Sequence, residues 1–343
     1  MKTLLFAAVF AALAGGAMAQ ETNRQTLVLA TPKADSDYYA EAYDAILEFH
    51  ATYVELAAPH DDVVILTDQA GYDRLIERVP AENLIIAPQE DIWMRDLSPV
   101  EPNQPMQFRY AAAAQGGDQA EADEVQDVFN ATMDEFGVRY RGTELILEGG
   151  NYVSDGVGRG AQVIVTERFQ DDNDLTRFSA RKALQEVTGA ARVAIIPSDD
   201  PDGLAHADGM VMFTEPRRLF INDYRDDPDL RADLLAELEY AFPRASIVEL
   251  PVGNPGADFD PRFASACGIY VNATVTENAV YLPVFGEDLD RSVIRIMEQH
   301  TRKTVVPIPS GDICYLGGSA RCLVWQTAGR MADRLKGIAA EAE

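Results

Sequence analysis

The chain has 343 residues, 47% of them hydrophobic and 25% charged, a balance that excludes a disordered or collagen-like polypeptide. Lys and Arg total 29 against 56 Asp and Glu, a net charge of −27, which excludes sequence-independent nucleic-acid binding and makes anionic membrane surfaces poor partners. Such a charge attracts a cationic small molecule or a basic peptide, and it equally suits a soluble surface from a salty habitat.

The first residues read as a targeting segment. Lys2 is followed by the unbroken apolar run Leu4–Ala14 and then by Ala17-Met18-Ala19, an A-x-A cleavage site. The run is far too short to span a bilayer. The expectation is a secretory signal peptide over 1–19, cut after Ala19, and a mature domain over 20–343 in the periplasm or beyond. No later stretch approaches the ~20 apolar residues of a membrane span, so no integral membrane segment is expected in the mature chain. The three cysteines, Cys267, Cys314 and Cys322, leave at least one thiol free. The spacing leaves a Cys314–Cys322 bridge open. A free thiol in an oxidising compartment directs attention to a nucleophile.

Beyond this segment, apolar strand-like runs alternate with amphipathic helical stretches. Thr26–Ala30, Val63–Leu66 and Leu84–Ala87 read as strands, with helices over Tyr39–Leu56 and Tyr72–Val79. Downstream, Val193–Ile196, Leu219–Asn222 and Ser246–Leu250 are strands, and Leu175–Val187 and Pro228–Phe242 are helices. Tyr270–Thr276 and Ala279–Val284 form a hairpin around Glu277-Asn278. A helix over Leu289–His300 and strands at Val305–Pro307 and Leu323–Gln326 complete the series. This is an α/β chain without an internal linker, and one domain is expected. The recurring strand–helix units suggest internal repeats, although their sequences are too different for a period.

Four polar, glycine-rich segments follow or precede apolar strands, where α/β proteins place their sites. They are Asp91–Pro99 (DIWMRDLSP), Leu147–Asn151 (LEGGN), His206–Phe213 (HADGMVMF) and Gly317–Gln326 (GGSARCLVWQ). Cys322 follows a Gly-Gly turn, and Arg321 beside it can support a thiolate. On an extended segment His206 and Asp208, two apart, share a face and can move a proton together. Asp96 and Glu148 stand beside Trp93, Arg95 and Gly149-Gly150. Taken alone, each of these residues also reads as structural. Taken together, convergent carboxylates suit a planar guanidinium cation, a thiolate can attack its carbon, and a histidine can protonate departing ammonia. His50, His60 and His300 lie in segments without site character, so no metal and no cofactor are expected.

The ordered set WMRD, EGGN, HxD and GG-xxx-C, together with the hairpin Tyr270–Phe285, resembles the bacterial agmatine deiminase and peptidyl-arginine deiminase group of guanidine-modifying enzymes. The resemblance covers about two-thirds of the mature chain. It implies the pentein fold, a single-domain five-bladed α/β propeller with the site on its axis. It also implies Cys322 as nucleophile, His206 as general acid/base, Asp96 and Asp208 as the guanidinium clamp, and Glu148 as the acid of the E-G-G-[ND] motif. Trp93 matches the aromatic beside the substrate channel, and Asn272 the hairpin asparagine. Four features depart from the pattern. The W-x-P-H opening is missing, Tyr110–Gly117 replaces an N-A-W-G-G stretch, Arg321 stands for a histidine, and Ala205 for a glycine.

These readings converge on an exported guanidine deiminase. Its substrate would be peptidyl-arginine, an arginine derivative or agmatine, and its products a ureido compound and ammonia. Arg109 is a candidate grip for the carboxylate of a C-terminal arginine, which makes such an arginine the expected better substrate over agmatine. Agmatine deiminase proper, with a role in putrescine formation, an amidinotransferase or a non-catalytic guanidino-ligand binder on the same fold are the alternatives. A thiol hydrolase of amide bonds would need an oxyanion hole rather than convergent acids.

Overall fold

The computed structural model describes residues 23–156 and 160–341, so the targeting segment over 1–19 lies outside the described residues. Five small sheets are present, each built around a parallel β–α–β pair. In the first, β1 (Thr26–Ala30), α1 (Tyr43–Ala57) and β2 (Asp62–Thr67) are extended by α2 (Gln69–Leu75) and the parallel β3 (Leu84–Ile86). The second follows a short α3 (Met94–Leu97) and comprises β4 (Met106–Arg109), α4 (Gln119–Glu135) and β5 (Arg141–Ile146). The third has β6 (Val153–Ser154), β7 (Gln162–Thr166), α5 (Arg168–Asp172), α6 (Arg177–Thr188) and β8 (Arg192–Ile196). The fourth has β9 (Val211–Glu215), β10 (Arg218–Asn222), α7 (Pro228–Ala241) and β11 (Ser246–Leu250). The fifth has β12 (Thr274–Val275), β13 (Ala279–Val284), α8 (Asp290–His300) and β14 (Thr304–Pro309), after which β15 (Trp325–Thr327) and α9 (Gly329–Glu341) end the chain.

Each parallel pair carries a short antiparallel lead strand on its first strand. β6, β9 and β12 lead the third, fourth and fifth sheets. In the second the lead is reduced to the single bridge between Val100 and Met106. The first sheet takes its lead from the far end of the chain, because β15 pairs antiparallel with β1. These are the five blades of the expected α/β propeller, and β15 joins the last part of the chain to the first.

Local chemistry explains the elements. Several strands of the parallel pairs, among them β1, β2, β7 and β10, are covered on both faces, so runs such as Val63–Leu66 are apolar throughout and buried. Helix α1 buries Ile46, Phe49, Tyr53 and Ala57 on one side, a helical spacing. Asp68, Asp118, Thr176 and Asp227 cap the starts of α2, α4, α6 and α7 by accepting backbone N–H bonds, and Pro228 occupies the first turn of α7. Trp325 of β15 is fully buried edge-on to Phe129 of α4, which fastens the closing strand to the second blade.

Two differences from the sequence reading have clear causes. The strand expected over Tyr270–Thr276 shrinks to Thr274–Val275, because Asn272 leaves the ladder to meet the sulfur of Cys322. The helix expected over Tyr72–Val79 starts earlier, at Gln69, where Asp68 supplies the cap. Among the cysteines, Cys267 and Cys314 form a disulfide, and Cys322 is free and buried. The Cys314–Cys322 alternative is therefore excluded. None of the helices among the described residues is long and apolar enough to cross a membrane.

The disulfide closes a loop spanning 47 residues. By chain entropy it stabilises the fold by about 4 kcal/mol. The double variant Cys267→Ala/Cys314→Ala should lose stability of that order in a chemical denaturation experiment. A loss below about 1 kcal/mol would mean that the unfolded chain gains little freedom from the missing link.

Candidate active site

The turns that precede the five lead strands converge, and each contributes to one buried cluster. Asp96 lies in α3, before the Val100 bridge. Glu148 precedes the 3-10 turn Gly149–Asn151 ahead of β6, His206 precedes the turn Ala207–Gly209 ahead of β9, Asn272 precedes β12, and Cys322 precedes β15. A closed circuit of contacts runs through them. The Gly150 N–H donates to Asp96 Oδ1 at 2.9 Å, and His206 Nε2 meets Glu148 Oε2 at 2.5 Å. Asn272 Nδ2 lies 3.4 Å from the Asp208 carbonyl and 3.2 Å from Cys322 Sγ. The Arg95 N–H donates to the Cys322 carbonyl at 3.1 Å, returning to the segment that holds Asp96.

Glycine is required in two of these turns. A Cβ at Gly150 would run into the His206 ring and the Asp96 carboxylate, and one at Gly149 into the Arg95 carbonyl. A Cβ on Gly318 would strike the Trp93 ring and the Cys322 Cβ, so the indole packs directly above the backbone that leads to the thiol. His206 is set by a relay: the Asn151 side chain accepts the Thr166 N–H, and the Thr166 hydroxyl donates to the Ala205 carbonyl. Ala205 itself sits at φ 53°, the left-handed region, where a side chain costs about 1–2 kcal/mol. The glycine of the resembled family at this position would be free of that strain.

The structure brings together Cys322, His206, Asp96, Asp208, Glu148 and Asn272, all buried. His206 and Asp208 are not neighbours on an extended strand as the sequence suggested, because the backbone between them turns. His206 is directed to Glu148 and, at 3.8 Å, to Asp96, whereas Asp208 Oδ2 accepts from Arg321 Nε at 3.0 Å. Asn272 does not line the cavity. It holds the sulfur, and its own Oδ1 accepts from Ser319. Trp93 and Asp96 form the floor of a cavity of about 480 Å³ whose walls carry Tyr39, Asp91, Glu121 and Glu124, with Arg262 and Phe263 at its edge. Arg109 is not part of it. Its guanidinium forks onto both oxygens of Asp123, which saturates the cation expected to grip a substrate carboxylate.

Sequence reasoning missed Ser319, the disulfide and the relay through Thr166. It also left Arg95 without a role: its backbone N–H donates to the Cys322 carbonyl, and its buried guanidinium donates to Gln326 at 2.8 Å. The hydroxyl donors could not be found because their partners are remote in sequence. Arg95 could have been singled out as the one cation inside a four-residue motif with two site residues.

Burial dominates the protonation states. It raises the Cys322 thiol well above its ordinary value, and the nearby Asp208 and Asp96 carboxylates push in the same direction. Burial alone would lower the imidazolium pKa of His206, but Asp96 and Glu148 outweigh it and the pKa is raised. Asp96 is raised by burial, against the pull of His206. The resting site thus holds a thiol and a protonated imidazole. Bringing a cation next to the sulfur favours the thiolate, and the imidazolium is ready to give up a proton.

Five ββαβ blades with this set of residues at their converging turns define a pentein, the class of guanidine-modifying enzymes. The family model for the Porphyromonas-type peptidyl-arginine deiminase matches residues 17–327. The agmatine deiminase of Stutzerimonas stutzeri is 25% identical over 287 residues, covering 72% of this chain and 77% of that protein. The solved agmatine deiminase of C. jejuni superposes with a TM-score of 0.74 over 90% of this chain and 95% of that one, at 16% identity. That of Enterococcus faecalis gives 0.71 over 90% and 94%, also at 16% identity. The chain belongs to the Porphyromonas-type peptidyl-arginine deiminase family. It is a hydrolase of the type that acts on the C–N bonds of amidines.

Two measurements test the site. Gly150→Ala should fold, with an unchanged far-UV spectrum, yet lose activity by about 10²-fold or more, because the methyl displaces His206 or Asp96 from the geometry of reaction. Full activity would show that the approach is not needed. Alkylation of Cys322 by iodoacetamide in the ligand-free protein should be slow near neutrality and still rise with pH beyond 9.0, the thiol's ordinary value. A plateau below that pH would mean that the resting thiol is already ionised.

Proposed function

We propose that this chain is an exported guanidine deiminase that works through a covalent thiouronium on Cys322. The observation that carries the reading is the free, buried thiol of Cys322, held by Asn272 in a cluster where His206 meets Glu148 and Asp96. A substrate guanidinium entering above Asp96 and Asp208 brings a positive charge beside the sulfur and favours the thiolate, the thiol proton passing to solvent as the substrate binds. The thiolate adds to the guanidinium carbon. His206 donates its proton to one amino nitrogen, the C–N bond breaks and ammonia leaves, giving the thiouronium. A water, deprotonated by the now neutral His206, adds to the same carbon, the C–S bond breaks, and the ureido product departs. Export is supported by the Lys2, Leu4–Ala14 and Ala17-Met18-Ala19 pattern and is consistent with the Cys267–Cys314 disulfide.

The test is a set of variants and a trap. Cys322→Ala should lower turnover by about 10⁴-fold or more, while Cys267→Ala/Cys314→Ala retains it. Rapid acid quenching during turnover should leave an adduct on Cys322 equal in mass to substrate minus ammonia. A fully active Cys322→Ala would end the mechanism.

The cavity also bears on the substrate's distal end. Its walls carry the exposed carboxylates of Glu121 and Glu124, which have no cationic partner among the described residues, whereas Arg262 at the edge is paired with Asp260 and Arg109 is bound to Asp123. This pattern favours a dication such as agmatine over an arginine with a free C-terminal carboxylate, the reverse of the preference inferred from the sequence. The relatives named agmatine deiminases support the same reading. Glu121→Gln and Glu124→Gln should each lower kcat/KM for agmatine about two- to fivefold, as exposed pairs do, and Arg109→Ala should leave the agmatine-to-arginine ratio unchanged. If the C-terminal arginine of a peptide is the better substrate and Arg109→Ala removes that advantage, the carboxylate reading is restored.

A further inference from the structure

A second cavity, of about 450 Å³, lies behind the site, and two of its lining residues are the chain neighbours of site residues. Arg95 precedes Asp96, and Arg321 precedes Cys322; both guanidinium groups line this rear cavity. Arg302 and Lys303 line it too, so four cations meet there in a chain with 29 basic residues against 56 acidic ones. Four carboxylates share the walls, and each already accepts from at least one donor of the protein itself. Glu101 accepts from Tyr152 and Ser154, Asp155 from Gln162, Glu215 from Thr301, and Glu277 from Asn23.

The cations, in contrast, have donors to spare. Arg95 is buried, uses one guanidinium nitrogen on Gln326, and leaves Nε buried without any partner. Arg321 uses Nε on Asp208 and Nη2 on the Tyr152 carbonyl, so its Nη1 has no partner. Among the described residues the Arg302 guanidinium makes no ion pair, and Lys303 donates only to the carbonyls of Thr276 and Glu277. A buried, under-satisfied guanidinium is costly unless something pairs with it. Arginine forks fit planar carboxylates, and the Met212, Phe213 and Val275 walls fit a carbon skeleton between them.

We propose that this rear cavity binds a small organic di- or tricarboxylate through Arg302, Arg321 and Arg95, and that its occupancy tightens the hold of the active site on its cationic substrate. The link is Arg321, whose Nε already neutralises Asp208. A carboxylate on the free Nη1 draws that positive charge toward itself, so Asp208 presents more net negative charge to a guanidinium on the other side. The second half of this inference rests on the deiminase reading; the binding half does not.

The experiment titrates citrate into the full chain by calorimetry, with inorganic phosphate as a parallel probe. Wild type should bind one citrate with a dissociation constant of about 1 mM or below, and phosphate more weakly. Arg302→Ala should weaken citrate binding about tenfold, with Arg302→Lys intermediate. In the steady state, saturating citrate should lower the KM for agmatine about threefold or more in wild type, with kcat unchanged, and should do nothing in Arg302→Ala. Absence of citrate heat at about 10 mM, equal affinity in Arg302→Ala, or phosphate binding as tightly as citrate would overturn the site. Citrate binding with an unmoved KM would overturn the link through Arg321. A protein that binds citrate in this way but turns over no guanidine would keep the rear site and refute the deiminase reading instead.

Discussion

Everything in this molecule hangs on a ring of buried contacts in which each blade holds the next. Asp96 receives Gly150, Glu148 receives His206, the Asp208 carbonyl and the Cys322 sulfur receive Asn272, and the Cys322 carbonyl receives Arg95. Three carboxylates, Asp96, Glu148 and Asp208, are thereby removed almost entirely from water. Such burial is tolerable only with cations and donors at hydrogen-bonding distance. His206 serves Glu148 and Asp96, Arg321 serves Asp208, and the backbone of the Gly149–Asn151 turn serves Asp96. The chemistry and the architecture are therefore one problem. The groups proposed to react are the same groups that make the axis electrically acceptable.

The same packing leaves some positions far less room for change than others. The glycines of the EGGN and GGSAR segments are fixed by space, since a single carbon at Gly150 or Gly318 would enter the site. Ala205 shows the opposite case. Its left-handed backbone is strained, and the relay from Asn151 through Thr166 to its carbonyl holds it in place. The replacement of a histidine by Arg321 sends the cation away from the sulfur and onto Asp208, where it faces the rear cavity.

Much of the fold was readable because the paired parallel strands are apolar on both faces, and β1 and β11 have the bounds read from the sequence. The second blade was not. The strand β5 (Arg141–Ile146) is largely exposed and carries charges, and α4 shows only Ala122, Gln126, Phe129 and Met133 to the core, one of them polar. The site residues could be named from their company in short glycine-rich motifs, but not their partners. The i, i+2 rule failed for His206 and Asp208 because it assumes an extended backbone, and the segment turns between them. Arg109 stood out as a cation beside an apolar strand, and nothing in the sequence indicated that Asp123, fourteen positions on, would claim it.

The pairing of β15 with β1 brings Thr327 opposite Thr26, residues separated by nearly the whole chain. Contacts this far apart in sequence carry a large loop-closure cost and slow folding. Cys322 lies just before that strand, so the proposed nucleophile joins His206 and the buried acids only when the first and last blades have met. A chain whose two ends are apart holds its sulfur outside the ring, whatever the other blades have done.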